Sequence, residues 1–381
     1  LNVSDELVDF IAGKIHHNIR LLEGALIRCS MLLNLNEGRI LQPELDTIIS
    51  ELQSSSDLKR VSLDEVQTAV AEEYGLTTRD LSGRRRTARI AEARHVGMLL
   101  TREFDTRAVT LQRTGQLGTY PSSLGQEAVG VGFAHAMNSD DIFVPSFREQ
   151  GAQLLRGVSL TELLLYWGGD ERGSDFAVPR EDFPVSVPVG SQAAHAVGVA
   201  LAIKLRGESR AVVCAVGDGA TSKGDVYEAM NVAGAWQLPM VFVVNNNAWA
   251  ISVPRGAQSA ATTLAQKAIA AGFPGEQVDG NDVIAMRHIT GKALAQCYEG
   301  GGPRLIEAVT YRLGDHTTAD DASRYRNEAD VSAAWRTEPL ARLRTYLTET
   351  HGWSRDDEEA LIANCQQQID EAVEAYLATP E

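Results

Sequence analysis

Residues 211–252 read AVVCAVGDGATSKGDVYEAMNVAGAWQLPMVFVVNNNAWAIS. The opening apolar, β-branched run, residues 211–216, is too short for a buried helix and is stopped by Gly217, Asp218 and Gly219, so it reads as a buried strand. A helical stretch over residues 224–237 follows, then Pro239 and a second apolar run, 240–244, that ends in Asn245, Asn246 and Asn247. Strand, helix and strand form a βαβ unit, whose crossover makes the two strands parallel. Asp218 and Asn247 then lie just beyond the carboxyl ends of two strands of one sheet, the edge at which open α/β sheets bind ligands. A carboxylate and an amide oxygen there suit Mg²⁺, which takes few protein oxygens and fills its octahedron from phosphate and water. Backbone N–H groups at the start of the helix can hold that phosphate.

The chain has 381 residues, 44% hydrophobic and 23% charged, enough for a large core and ordinary for a globular protein. A net charge of −16 argues against a nucleic-acid binder along the whole length. Cys29, Cys214, Cys297 and Cys365 are scattered without metal-ligand spacing, which predicts reduced packing residues in a cytoplasmic protein. No apolar run approaches the roughly 20 residues of a membrane span, and no signal peptide is visible. The first residue is Leu1, so the start is expected to be processed or truncated.

The Gly-Asp-Gly turn at 217–219, with paired asparagines about thirty residues on, resembles the thiamin diphosphate motif. The wider wording resembles the alpha subunit of the decarboxylating component of 2-oxo acid dehydrogenase complexes, continuously over residues 104–381. The resemblance implies an α/β thiamin diphosphate-binding fold with a mostly parallel sheet, here preceded by an all-helical N-terminal segment. It gives Mg²⁺ to the Asp218 and Asn247 side chains and the Trp249 backbone carbonyl, and sets Gly219 and Ala220 against the cofactor. Arg148, in the run SFREQG, matches the arginine on the cofactor diphosphate, and a planar guanidinium fork suits that task. Phe147 stands where many relatives carry tyrosine, so it brings no hydroxyl. Val187 and Val189 take the positions whose backbone lines the aminopyrimidine ring, Val187 replacing a frequent glycine. His316, in the run LGDHTTADD, matches the catalytic histidine that reaches both diphosphate and substrate pocket. His195 reads as a packing residue, and Thr317 and Ser323 fall where some relatives are phosphorylated.

The expected elements around these residues are a short strand over 140–144, a long loop over 167–188 and a small-residue helix over 193–204. A loop at 253–258, a helix at 263–271, strands near 275–280 and 304–312, and charged amphipathic helices over 331–381 follow. The implied reaction is oxidative decarboxylation of a 2-oxo acid, pyruvate first and branched-chain acids second, with acyl transfer to lipoyl groups. In the resembling family the glutamate that activates the aminopyrimidine comes from a separate beta subunit, and no second module here supplies it. Half an active site in a heterotetramer, served by a lipoyl-bearing acyltransferase, is therefore expected. A self-sufficient thiamin enzyme of the transketolase or acetolactate type would need about two hundred more residues.

Residues 1–103 read as helix throughout and carry an unrelated resemblance, to the bacterial replication initiator DnaA. Residues 1–55 resemble the lid of its ATPase domain, with Arg20 at the nucleotide-sensing position. Residues 56–103, after a polar linker at 53–60 and a capping box at Ser62, resemble a truncated DNA-binding domain. Arg84, Arg85, Arg86, Arg89 and Arg94 match its phosphate-contacting loop and helix. No G-x-x-x-x-G-K-[ST] loop occurs, so a nucleotide site is not expected, and DNA is a partner only if this segment is functional. The plainer reading is a solvated helical bundle. The string MLLTREFDTRAV satisfies both families, which suggests a chimera joined there, with a helix over 91–106 spanning the junction.

Overall fold

The computed structural model describes Cys29 and residues 84–380. The chain divides into two compact units, Leu1–Gly83 and Arg84–Glu381. The expectations for Arg20, the linker at 53–60 and the Ser62 capping box lie outside the described residues, as do the side chains of Arg84, Arg85, Arg86 and Arg89.

The second unit opens with α1 (Arg84–Arg113), α2 (Glu127–Ala134), β1 (Ile142–Val144), α3 (Gln150–Arg156), α4 (Leu160–Gly168) and α5 (Ser191–Arg206). The central unit is β2 (Val212–Gly217), α6 (Gly224–Ala235) and β3 (Met240–Asn246), followed by a hairpin of β4 (Trp249–Ala250) and β5 (Val253–Pro254). Then come α7 (Arg255–Gln258), α8 (Gln266–Ala270), β6 (Gly275–Asp279), α9 (Val283–Tyr298) and β7 (Arg304–Val309), and three closing helices, α10 (Glu328–Ala334), α11 (Pro339–His351) and α12 (Arg355–Leu377). Five strands pair in parallel in the order β1-β2-β3-β7-β6. The fold is α/β with a parallel sheet entered through a long helix, as the sequence predicts.

Alternation along β2 and β3 divides the core. Val212, Cys214, Val216, Met240, Phe242 and Val244 pack with the small-residue face of α5 and with α6 and α8. Val213, Ala215, Val241 and Val243 pack against α2 and α9. With both faces covered, every position must be apolar, which is why these strands read as unbroken hydrophobic runs. All four cysteines are free and buried. The long loop begins later than expected: α4 runs to Gly168 and a 3₁₀ turn, Glu171–Ser174, is capped by the Asp170 side chain. The expected loop at 253–258 is instead β5 and α7.

Helix α1 runs without a break through residues 103 and 104, where the two resemblances meet. Ala91, Met98 and Leu99 pack with Leu340, Leu343, Leu347 and Cys365, while Phe104, Ala108 and Leu111 pack with Tyr120, Leu163, Ile369 and Val373. The fully buried His95 lies 2.6 Å from a Glu358 carboxylate oxygen, and Glu358 also accepts from Trp353 Nε1 at 2.8 Å and Arg344 Nε at 2.7 Å. Arg94, matched above to a phosphate contact, is 7% exposed beside Arg287 and Asp282. That expectation fails because α1 turns this face into the protein. Met98→Ala is expected to cost about 2–5 kcal/mol by urea unfolding, the usual loss for a buried Met.

Candidate active site

Asp218 directly follows β2 and Asn247 directly follows β3, and the two strand ends are tied by a bond from the Asp218 N–H to the Asn245 carbonyl, 3.2 Å. Between β2 and α6 the chain makes a 3₁₀ turn, Gly219–Ser222. The amides nearest Asp218 therefore belong to that turn and not to α6. The turn forms because both the N–H and the hydroxyl of Thr221 donate to the Asp218 carbonyl, at 3.2 and 2.7 Å. Glycine is required at 219, since a Cβ there would stand 2.6 Å from that of Ala250.

A cleft of about 630 Å³ opens at this edge, a usual size for a cofactor site. Phe147, Arg148, Val187, Val189, Asp218, Gly219, Ala220, Asn247, Trp249 and His316, scattered over 170 positions of sequence, all line it. Val187 and Val189 are 55% and 46% exposed on its wall. His195 lies outside it, on the exposed side of α5 with its ring edge-on to Phe183.

Asp218 and Arg148, which both line the cleft, form no ion pair among the described residues. The Asp218 carboxyl is buried, one of its oxygens has no hydrogen-bond donor, and burial pushes its pKa up to about 6 against the pull of the Gly219 amide, Arg312 and Arg148. Arg148 is buried with no carboxylate: it donates to the Ser122 carbonyl at 2.8 Å, to the His316 carbonyl at 2.6 Å and to His316 Nδ1 at 2.8 Å. Burial and the neighbouring Arg312 bring its pKa down to about 10. Arg312, 1% exposed, donates to the Ile251 carbonyl at 2.9 Å and the Tyr325 hydroxyl at 2.7 Å, and its other terminal nitrogen lies 3.4 Å from both the Trp249 carbonyl and His316 Nδ1. Burial, Arg148 and Arg312 together lower the His316 pKa to about 4. With guanidinium donors on Nδ1, the imidazole is neutral and carries its proton on Nε2.

The Asn247 amide donates to Gln126 Oε1 at 2.8 Å, while its oxygen takes the Trp249 N–H at 3.2 Å and keeps a second lone pair. Asn245 Oδ1 and Gln192 Oε1, also on the cleft wall, are buried without donors. An unpaired carboxylate and amide oxygens suit a hard divalent cation, and two buried guanidiniums suit a diphosphate. Among the described residues no group of three His, Cys, Asp or Glu could hold a metal alone, so an ion here would share its shell with ligand oxygens. Residues 211–252 do not point to Arg312. Its only signal is a charge three residues beyond β7, and its partners lie on three separate segments.

A family model described as "Dehydrogenase E1 component" matches residues 96–381, and one described as "Bacterial dnaA protein helix-turn-helix" matches residues 63–116, so the two overlap in and just after α1. The 3-methyl-2-oxobutanoate dehydrogenase subunit alpha of Mycobacterium tuberculosis is 44% identical over 74% of this chain and 77% of its own length. Pyruvate dehydrogenase E1 component alpha subunits are 40% identical in Staphylococcus aureus, over 72% of this chain and 75% of theirs, and 39% identical in Acholeplasma laidlawii, over 74% and 83%. With three quarters of its length matched, the chain belongs to the dehydrogenase E1 component family.

Proposed function

We propose that this chain is the alpha subunit of a 2-oxo acid dehydrogenase, holding Mg²⁺ and thiamin diphosphate in the cleft above the parallel sheet. The family depends on thiamin diphosphate, typically with Mg²⁺ or a similar divalent cation. The observation that carries the reading is the buried Asp218 carboxylate, with one oxygen unpaired, in the same cleft as the buried Arg148 guanidinium, which has no carboxylate partner. Asp218, Asn247 and the Trp249 carbonyl would hold the ion. Arg148 and His316 Nε2–H would hold diphosphate or substrate oxygens, with Arg148 and Arg312 on Nδ1 fixing the tautomer. When bound, thiamin diphosphate supplies the carbon nucleophile and electron sink for loss of CO₂ from a 2-oxo acid. The chain's own contribution is binding, orientation and exclusion of water, which strengthens each of these contacts.

A beta subunit would complete the site and cover Val187, Val189, Ile251 and Val253, which stand 41–56% exposed around the cleft. A lipoyl-bearing acyltransferase would take the acyl group. For substrate we favour 3-methyl-2-oxobutanoate over pyruvate, because the 44% identical relative carries that name. The expected result is a kcat/KM for the branched acid about 10-fold or more above that for pyruvate, within the range one or two methylenes contribute. A preference for pyruvate in the assembled enzyme overturns the substrate choice and leaves the reaction class standing.

A further inference from the structure

Two buried contacts behind the cleft link the Asp218 turn to the Asn247 strand end through α8, and neither touches the cleft itself. Lys267, on α8 and 7% exposed, donates to the Thr221 carbonyl at 2.7 Å and the Thr221 hydroxyl at 3.0 Å. That same hydroxyl donates to the Asp218 carbonyl. On the other side Glu307, fully buried in β7, accepts from the Asn246 amide at 2.7 Å and from the N–H of Ala265, the residue before α8, at 3.0 Å. Asn246 in turn accepts the Ala248 N–H at 3.2 Å and so shapes the bend that presents Asn247 and Trp249.

Neither charge has an opposite partner among the described residues. The Lys267 ammonium has only a carbonyl, a hydroxyl and the face of Tyr227 at 5.1 Å. Burying an unpaired ammonium or carboxylate costs stability, and an apolar residue of similar volume would serve the core better. Their positions offer another use. Glu307 lies one residue from Asn247 by way of Asn246, Lys267 lies three residues from Asp218 by way of Thr221, and α8 joins the two.

We propose that Lys267 and Glu307 are positioning residues that brace the Asp218 and Asn247 oxygens at the separation a small octahedral cation requires. The inference rests on the metal site proposed above. Mg²⁺ demands near-ideal octahedral geometry at about 2.0–2.1 Å, whereas Ca²⁺ accepts longer and irregular contacts. A braced site therefore discriminates against the larger ion, and a loosened one does not.

The test is the ratio of half-saturating Ca²⁺ to half-saturating Mg²⁺ for thiamin diphosphate binding, measured by calorimetry on the full chain with its partner subunit. Lys267→Met and Thr221→Val should each lower that ratio about 3- to 10-fold, and Thr221→Ser, which keeps the hydroxyl, should restore it. General loosening of the fold would weaken both ions alike and leave the ratio unchanged. A ratio within about twofold of the parent in Lys267→Met overturns the brace. If the parent protein itself shows no metal-dependent cofactor binding, the metal-site reading fails first, and the two failures are told apart.

Discussion

Asp218→Ala is expected to abolish metal-dependent binding of thiamin diphosphate while leaving the protein folded. The carboxylate is the only acidic side chain at the paired strand ends, and the remaining ligands, an amide and a carbonyl, carry no charge to offset the ion. Loss of an outer-shell contact typically costs 10–100-fold in metal affinity, so loss of the charged ligand itself should exceed about 100-fold. Unchanged cofactor affinity in a calorimetric titration would remove Asp218 from the site. The fold should tolerate the change, because the side chain contributes burial cost without a full set of partners.

The same carboxyl gives a pH signature in the cofactor-free protein. Its pKa stands at about 6 in the fold against 3.8 for the free side chain. A raised acid favours the folded state while it is protonated, so its contribution is complete below pH 3.8 and is lost as pH rises through about 6. Buried Glu149, pushed to about 7, and Asp105, to about 6, act in the same direction. Asp218→Asn removes one such group. The thermal midpoint of that variant, minus that of the parent, should therefore grow from pH 4 to pH 7, and a difference that stays flat would contradict the burial argument.

The second large effect is that the chain alone should be nearly inert and that a beta subunit should restore turnover. Among the described residues only two carboxyls line the cleft, Asp218 and Glu149. Asp218 is committed to the ion, and Glu149 is held against the backbone amides of Ser146 and Arg148 at the start of α3, beside Arg148 at the diphosphate end. The family resemblance places neither of them at the aminopyrimidine ring, whose acid it assigns to the beta subunit. General acid–base assistance is typically worth about 10²–10⁴-fold, and the isolated chain should fall short by that factor with cofactor bound. Mixing with the partner should raise rate and cofactor affinity together, since the exposed valines would be covered. Full decarboxylation by the isolated chain, abolished by Glu149→Gln, would mean that this protein carries its own acid and that the site is not shared.

The sequence by itself determined the sheet and its functional edge. The β-branched runs at 211–216 and 240–244, each stopped by a turn, are local signals that need no distant contact to be read, and β2 and β3 end one and two residues beyond them. Family wording then supplied Arg148, Val187 and His316, which no periodicity connects to Asp218, and the fold brings them into one cleft. Only the tertiary structure decided the charge state of that cleft. His316 is neutral because it is partly buried and because Arg148 and Arg312, 168 and 4 residues away, converge on one ring nitrogen, and burial and convergence of that kind depend on packing and not on spacing along the chain. The same holds for Arg94. In sequence it is one of a basic run suited to phosphates, yet the continuity of α1 and its burial against the carboxyl-terminal helices turn it inward, because a helix face is assigned by what packs on it.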